Sequence, residues 1–450
     1  MRIAIIGAGI SGMASAWFLQ PAHDVTLYDK ADRLGGHVHS IPVECNGVTV
    51  QVETGVEFFV EATYPCVMAL WRVLGLRRRK ASATLTITFR DGGRTLALPP
   101  RSPRHLLQLL LSPRRLGQLM LFTRFTRSTD ELTKYADLAV SLGEYARQRG
   151  FPKRFQEEML FPLIAASWGA PVADMRHFPV YDVMKIVGRF DRAGYTFCFL
   201  DNGLGDYLNA LAAELRSVEM RLGRMVKEVR KDGELFLVED DRGEVRSYDQ
   251  VVLATASPDA VSLVANAPEL RDWCDVLGRF RHFPTTIAVH GDPAFMPANP
   301  HDWSLCNVFH EGDRAWLSVW SGWRQRLPIF RTWLQPGGAV PRALHYRADF
   351  HHLIVTPQSF ALQQQIAAQQ GHAGLWVVGM YTVDTDSHES ALMSALPVAR
   401  VLAPASPNLR RLEAAMRGAD KDHHALDFHP PPVAQHPPRQ AAGSPAPRDA

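Results

Sequence analysis

The chain has no CxxC pair, no HExxH and no GxxxxGKS/T phosphate loop. Its five cysteines (Cys45, Cys66, Cys198, Cys274, Cys306) are scattered and odd in number, which argues against a zinc or iron–sulfur site and against a disulfide framework. Free thiols in a reducing compartment are the simplest reading, so the expected location is cytoplasmic. The neighbouring His351 and His352 do not by themselves make a metal site, and no metal is expected. A net charge of +3 is too small to imply nucleic acid as a partner. No apolar run approaches the ~20 residues of a membrane span. The chain enters a strand-like run almost at once, so no signal peptide is expected. Residues 92–129 contain no Asp or Glu at all.

What the chain does have stands near its start. The apolar run Ile3 to Ile6 reads as a buried parallel strand, and Gly7, Gly9 and Gly12 follow it as GxGxxG. Apolar residues then recur at Met13, Ala16, Trp17 and Leu19 as a helix places them. In such a unit the first glycine permits the turn, the second lets backbone approach a pyrophosphate, and the third lets helix and strand pack closely. The helix start offers unpaired N–H groups and a positive dipole end to the anion. Asp29 closes the next strand, where it can accept from a ribose 2′-OH. Ser11 and Lys30 are expected to join the cofactor contacts. The fingerprint alone does not choose between NAD and FAD.

That choice comes from Arg33-Leu34-Gly35-Gly36, which resembles the RxGG signature of the flavin amine-oxidase superfamily. The resemblance implies FAD, with Arg33, Gly35 and Gly36 along its pyrophosphate and ribityl chain. It also implies that Gly55 lies beside the flavin, that the backbone of Val226 holds adenine, and that the turn at Ala254 closes next to the cofactor. Gly379, Glu389 and Ser390, near the carboxyl end, complete the expected cofactor contacts. Residues 1 to about 412 resemble one branch of the superfamily, the bacterial predicted NAD/FAD-binding oxidoreductases, and the oxidase-like amino-terminal region of plant cyclopropane-fatty-acid synthases. Thr63-Tyr64-Pro65, Phe161 to Trp168, His290-Gly291-Asp292 with Met296-Pro297, Trp303 and Asn307, and Ser387 to Ala395 match the branch's motifs. The chain departs from them at Cys66, at Val383 to Asp386, at Ser387 and at Ser390-Ala391, which bears on substrate rather than cofactor. The branch is associated with modification of acyl chains.

The expected fold class is α/β: a Rossmann-like FAD-binding domain (1–60, 201–270, 370–412) interleaved with an α+β substrate domain (61–200, 271–369) that carries a helical cap. Residues 413–450, rich in proline and histidine, are expected to be disordered. The acid-free stretch 92–129 holds seven arginines among leucines and phenylalanines, and Ser102-Pro103 and Ser112-Pro113 look like helix starts. It reads either as a basic amphipathic surface at 101–127 for anionic lipid, peripheral to the inner face of the membrane, or as a solvated helical cap.

For chemistry, the helix near Glu389 should aim its N–H groups at the flavin. Glu389 either bonds the cofactor or caps a helix. His388 is the acid–base candidate, or else an ordinary loop histidine. Tyr381 and Trp168 are walls for a long substrate, or core aromatics. No lysine is placed by sequence at the flavin N5 position. The leading expectation is an FAD-dependent oxidoreductase acting on a lipid, acyl or other apolar small molecule. The alternatives are an FAD amine oxidase, and a flavin-dependent isomerase or non-catalytic flavoprotein partner of an acyl-modifying enzyme.

Overall fold

The computed structural model describes residues 1–89, 94–128, 139–187 and 196–420. Its first sheet is parallel throughout, in the order Leu375–Val377, Gln250–Leu253, Arg2–Ile6, Asp24–Tyr28, Val218–Arg221. Ile3 to Ile6 are buried without alternation, as expected of a strand covered on both faces. Helix Ile10–Leu19 is buried on every side, packed against the sheet and helix Ala395–Leu402. The chain leaves this sheet and returns to it from three separate stretches, so the α/β class read from the sequence is the class observed.

An antiparallel sheet of Val226–Asp232, Leu235–Asp240 and Val245–Tyr248 lies alongside. The excursions build a seven-stranded sheet in the order Leu344–Leu353, His282–His290, Phe330–Leu334, Arg314–Trp320, Cys306–Glu311, Leu85–Phe89, Arg94–Leu98. Helix Phe161–Trp168 covers its middle, entered through a π-turn at Gln156–Leu160. The helix expected near Glu389 is followed at once by a second: His388–Met393 and Ala395–Leu402 join at Ser394.

Three expectations need correction. Helix Pro65–Val73, expected in the substrate domain, buries Cys66, Val67, Leu70 and Trp71 in the same core as Trp17, Tyr207 and Leu396. The tail expected to be disordered from 413 begins as helix Pro407–Asp420, which packs on Pro65–Val73 and accepts from Arg72 at the Ala415 carbonyl (2.9 Å); residues 421–450 lie outside the described residues. Several arginines of 101–127 are engaged within the chain rather than spread as one free basic face. Arg114 donates to both oxygens of Glu158 (2.6 Å each), Arg124 to the Arg149 carbonyl, and Arg101 to the Trp303 carbonyl (3.0 Å). Their partners lie far along the chain, where sequence could not reveal them. The two Ser-Pro starts do open helices, Pro103–Leu110 and Pro113–Arg127, with Ser102 and Ser112 accepting from the N–H groups of His105 and Arg115.

Candidate active site

The glycines of the first turn have separable reasons. Gly7 has φ +108°, and a Cβ there would lie 2.5 Å from the Ala254 carbonyl oxygen. A Cβ on Gly12 would lie 1.8 Å from the Gly7 oxygen. Both are glycine because the protein packs against itself. Gly9 is different: its φ is −69°, open to any residue, and a Cβ would meet nothing within 4 Å. It faces open space at the start of a helix that has no side-chain cap and no acid in its first turn. Backbone bare of side chain, at the positive end of a helix dipole, fits a pyrophosphate.

The RxGG loop completes the cradle. Gly35 pairs with Gly9, and the Gly35 N–H donates to the Ala8 carbonyl (2.8 Å). A Cβ on Gly36 would sit 3.1 Å from the Gly9 Cα. Asp29 accepts from the N–H groups of Ala8 (2.6 Å) and Ala31 (2.8 Å), tying the end of its strand to both loops. The donor set and the open glycine fit the adenine-dinucleotide half of FAD. Ser11 is buried at the second helical position, Ala254 walls Gly7 and Gly12, and Val226 is buried at the start of its strand. Two side chains expected here are engaged elsewhere. Arg33 curls onto its own loop, donating to the carbonyls of Leu34, Gly36 and Val38 (3.1–3.4 Å). Lys30 is drawn to the surface by Asp259 at 3.2 Å.

Beyond the cradle lies a cavity of about 270 Å³. Gly55 to Phe58 and His37 line one side; Asp386, Ser387 and His388 line another. The seven-stranded sheet adds a further face through alternating positions: Thr285 and Ile287, Cys306 and Val308, Phe350 and His352. A period of two puts each such pair on one face. Trp168 stands at the cavity and also walls a second one of about 150 Å³.

One arginine organises the wall. Arg331 is fully buried, with Nη2 2.7 Å from Glu57 and Nη1 donating to the carbonyls of Glu53 (2.8 Å) and Gly55 (3.0 Å). Its guanidinium lies 4.5 Å from the Trp333 ring centre. It therefore fixes the segment that the sequence resemblance sets beside the flavin. Burial pushes the Glu57 carboxyl up, with Arg331 opposing, and pushes Glu53 up to about 7 although Leu204 N–H and Ser40 Oγ donate to it.

The carboxyl-end residues fare unevenly. His388 lines the cavity, but its Nε2 meets the Tyr207 hydroxyl at 3.0 Å and burial lowers its pKa to about 3. Burial therefore favours its neutral form in the wall. Glu389 turns away from the cavity: its two oxygens accept from the N–H groups of Cys66 (2.6 Å) and Val67 (2.9 Å), capping helix Pro65–Val73 rather than its own. Ser390 donates its N–H to the Ser387 Oγ (3.1 Å), and the two hydroxyls meet at 2.9 Å. Gly379 donates to the Ser394 Oγ (2.9 Å). Tyr381 is a core aromatic, packed edge-on against Phe280 at 5.1 Å and absent from the cavity lining; Trp168 is the wall that lines it.

Arg331, Glu57, His352 and Asp386 were not among the residues expected at the site. An arginine at an inward position of an apolar strand, Ile329-Phe330-Arg331, is the one local signal that could have flagged it.

The family described as flavin containing amine oxidoreductase matches the chain over residues 10–290. No curated protein matches the chain. Among solved structures the fold is similar to that of a CLA-producing fatty acid isomerase from P. acnes (16% identity, TM-score 0.64, 89% of this chain and 98% of that one). It is also similar to a cyclohexylamine oxidase from Brevibacterium oxydans IH-35A (13%, 0.59, 93% and 99%) and to a redesigned putrescine oxidase (14%, 0.60, 90% and 99%). At such identities the likeness concerns the fold.

Proposed function

The chain belongs to the flavin containing amine oxidoreductases and is an FAD-dependent oxidoreductase, and we propose that its substrate is apolar, a lipid or fatty-acyl chain, oxidised or desaturated in the cavity beside Gly55. The observation that carries this reading is the lining. Leu85, Ile287, Val308, Leu317, Phe350 and Trp168 offer a surface matched to hydrocarbon. Among the described residues no lysine lines the cavity, which weighs against the amine-oxidase alternative. A fatty acid isomerase of the same fold supports the idea that such a cavity accommodates an acyl chain.

Bound FAD supplies the hydride acceptor. The chain's own part is to hold the Glu53–Glu57 segment through Arg331, to keep water from the reacting bond with aromatic walls, and to leave His388 uncharged near the flavin. Trp168, between two cavities, sets how far an acyl chain can extend.

The hairpin of helices Pro103–Leu110 and Pro113–Arg127 is the surface that meets an anionic bilayer. Leu106, Leu107, Leu110 and Leu111 are 51–74% exposed and Met120 is 65% exposed, on a segment without a single acid. Each leucine moved from water into the lipid interface gains about 1.5 kcal/mol or more. Arg104, half-exposed, lies in the same hairpin. Among the described residues no helix is long and apolar enough to cross a membrane.

The test is anaerobic mixing of the FAD-loaded protein with fatty acids and, separately, with alkylamines. Bleaching of the flavin by fatty acids without release of ammonia supports the reading. Bleaching by amines alone contradicts it, and turnover without net bleaching points to isomerisation. Replacing the four exposed leucines by serine should abolish co-sedimentation with anionic vesicles; unchanged sedimentation removes the membrane role.

A further inference from the structure

Among the described residues, one buried carboxylate in the cavity wall accepts no hydrogen bond. Asp386 precedes helix His388–Met393; its side chain is 1% exposed, it lines the cavity, and both oxygens lack a donor. The loop that carries it is pinned two residues before it. Asp384 is paired with Lys185 and Tyr181, and Gln363 donates to the Asp384 carbonyl (2.8 Å). Burying a carboxyl without donors is costly, and burial raises its affinity for a proton. The polar group that faces it is an imidazole: His352 Nδ1 is 3.4 Å from Asp386 Oδ2.

His352 comes from strand Leu344–Leu353, whose alternation turns Phe350 and His352 inward and leaves His351 exposed. Its ring leans on Phe283 at 5.6 Å, and 31% of the side chain stays open. An imidazole with a carboxylate behind it and an open apolar cavity in front is the arrangement of an oriented general base. The carboxylate favours the Nδ1–H tautomer and leaves Nε2 as the basic atom. His388, also in the wall, has a hydroxyl for a partner and lacks this arrangement.

We propose that His352 is the proton acceptor of the oxidation in this cavity, with Asp386 as its positioning residue; this rests on the reading of the cavity as the oxidation site. The step balances simply. FAD, when bound, would supply the acceptor for the hydride that one substrate C–H bond gives up with both of its electrons. A proton leaves the adjacent atom to His352 Nε2, and the pair it leaves behind becomes the new double bond. The resulting imidazolium is held by Asp386.

The experiment has two arms. In resting, FAD-loaded protein, nitrogen-15 spectra assigned with His352→Gln should show one Nδ1–H tautomer for His352, becoming a mixture in Asp386→Asn. An unchanged tautomer in Asp386→Asn overturns the pairing, whatever any substrate does. In single turnover with oleic acid as the probe, His352→Ala should slow flavin bleaching by at least about 100-fold, with flavin content and melting temperature kept. Free imidazole should restore part of the rate. Bleaching of His352→Ala at the wild-type rate overturns the proton role. If oleic acid bleaches neither protein, the acyl reading fails, while the tautomer arm still decides the pair.

Discussion

The glycine turn and the cavity wall bury polar groups by opposite means. At the turn, the donors are backbone N–H groups and the acceptors are nearby carbonyls and the Asp29 carboxylate, with Gly7, Gly9, Gly12, Asp29 and Gly35 all within residues 7–35. At the wall, Arg331 reaches Glu53 across 278 residues, and Glu389 reaches Cys66 across 323. A local device tolerates or refuses a substitution according to φ and the space for a Cβ. A non-local one does so according to whether a buried charge keeps its partner.

That contrast is open to breakage. The largest effect is expected at Gly12→Val, because a Cβ 1.8 Å from the Gly7 oxygen cannot be housed; no soluble folded protein should be recovered on expression. A folded Gly12→Val with native circular dichroism would break the packing account of the turn. Next comes Arg331→Met, which leaves Glu57 buried without its cation. It should cost about 3–5 kcal/mol by denaturant titration, and adding Glu57→Gln should recover part of the loss. A double variant as unstable as the sum of the singles would show that the two residues do not act as a pair.

A smaller, pH-dependent effect sharpens the contrast at His388. Folded, it stays neutral down to about pH 3; unfolded, it takes a proton near 6.5. Its folded pKa is depressed, so its full contribution to stability is present above pH 6.5 and is lost progressively as the pH falls toward 3. His388→Asn, which can still bond Tyr207, should therefore melt with less pH dependence than the parent between pH 7 and 4. Equal slopes in thermal scans would mean that the imidazole is not held neutral.

Much of the turn was legible in the sequence because its causes lie within a few residues. The glycine spacing, the strand before it and the RxGG loop each imply backbone approach, and the fold brings them into contact. Ser102 and Ser112 likewise announce helix starts that the hydroxyls cap. The wall was not legible in this way. Glu389 read as either a cofactor contact or a cap of its own helix, because the N–H groups it satisfies belong to a helix at the other end of the chain. Tyr381 read equally as a substrate wall or a core aromatic, because nothing local says that its ring turns to Phe280. His352 was seen only as half of a His-His pair, although strand alternation alone separates the two rings onto opposite faces.

The central claim is that Gly7 and Gly12 serve the protein while Gly9 serves the ligand, and flavin-fluorescence titration of purified Gly9→Val beside the parent tests it most directly. A side chain fits the φ of −69° and its Cβ meets nothing within 4 Å, so the account predicts native circular dichroism and an unchanged apoprotein melting temperature, with FAD binding lost. A Gly9→Val protein that still takes up FAD as the parent does would contradict it.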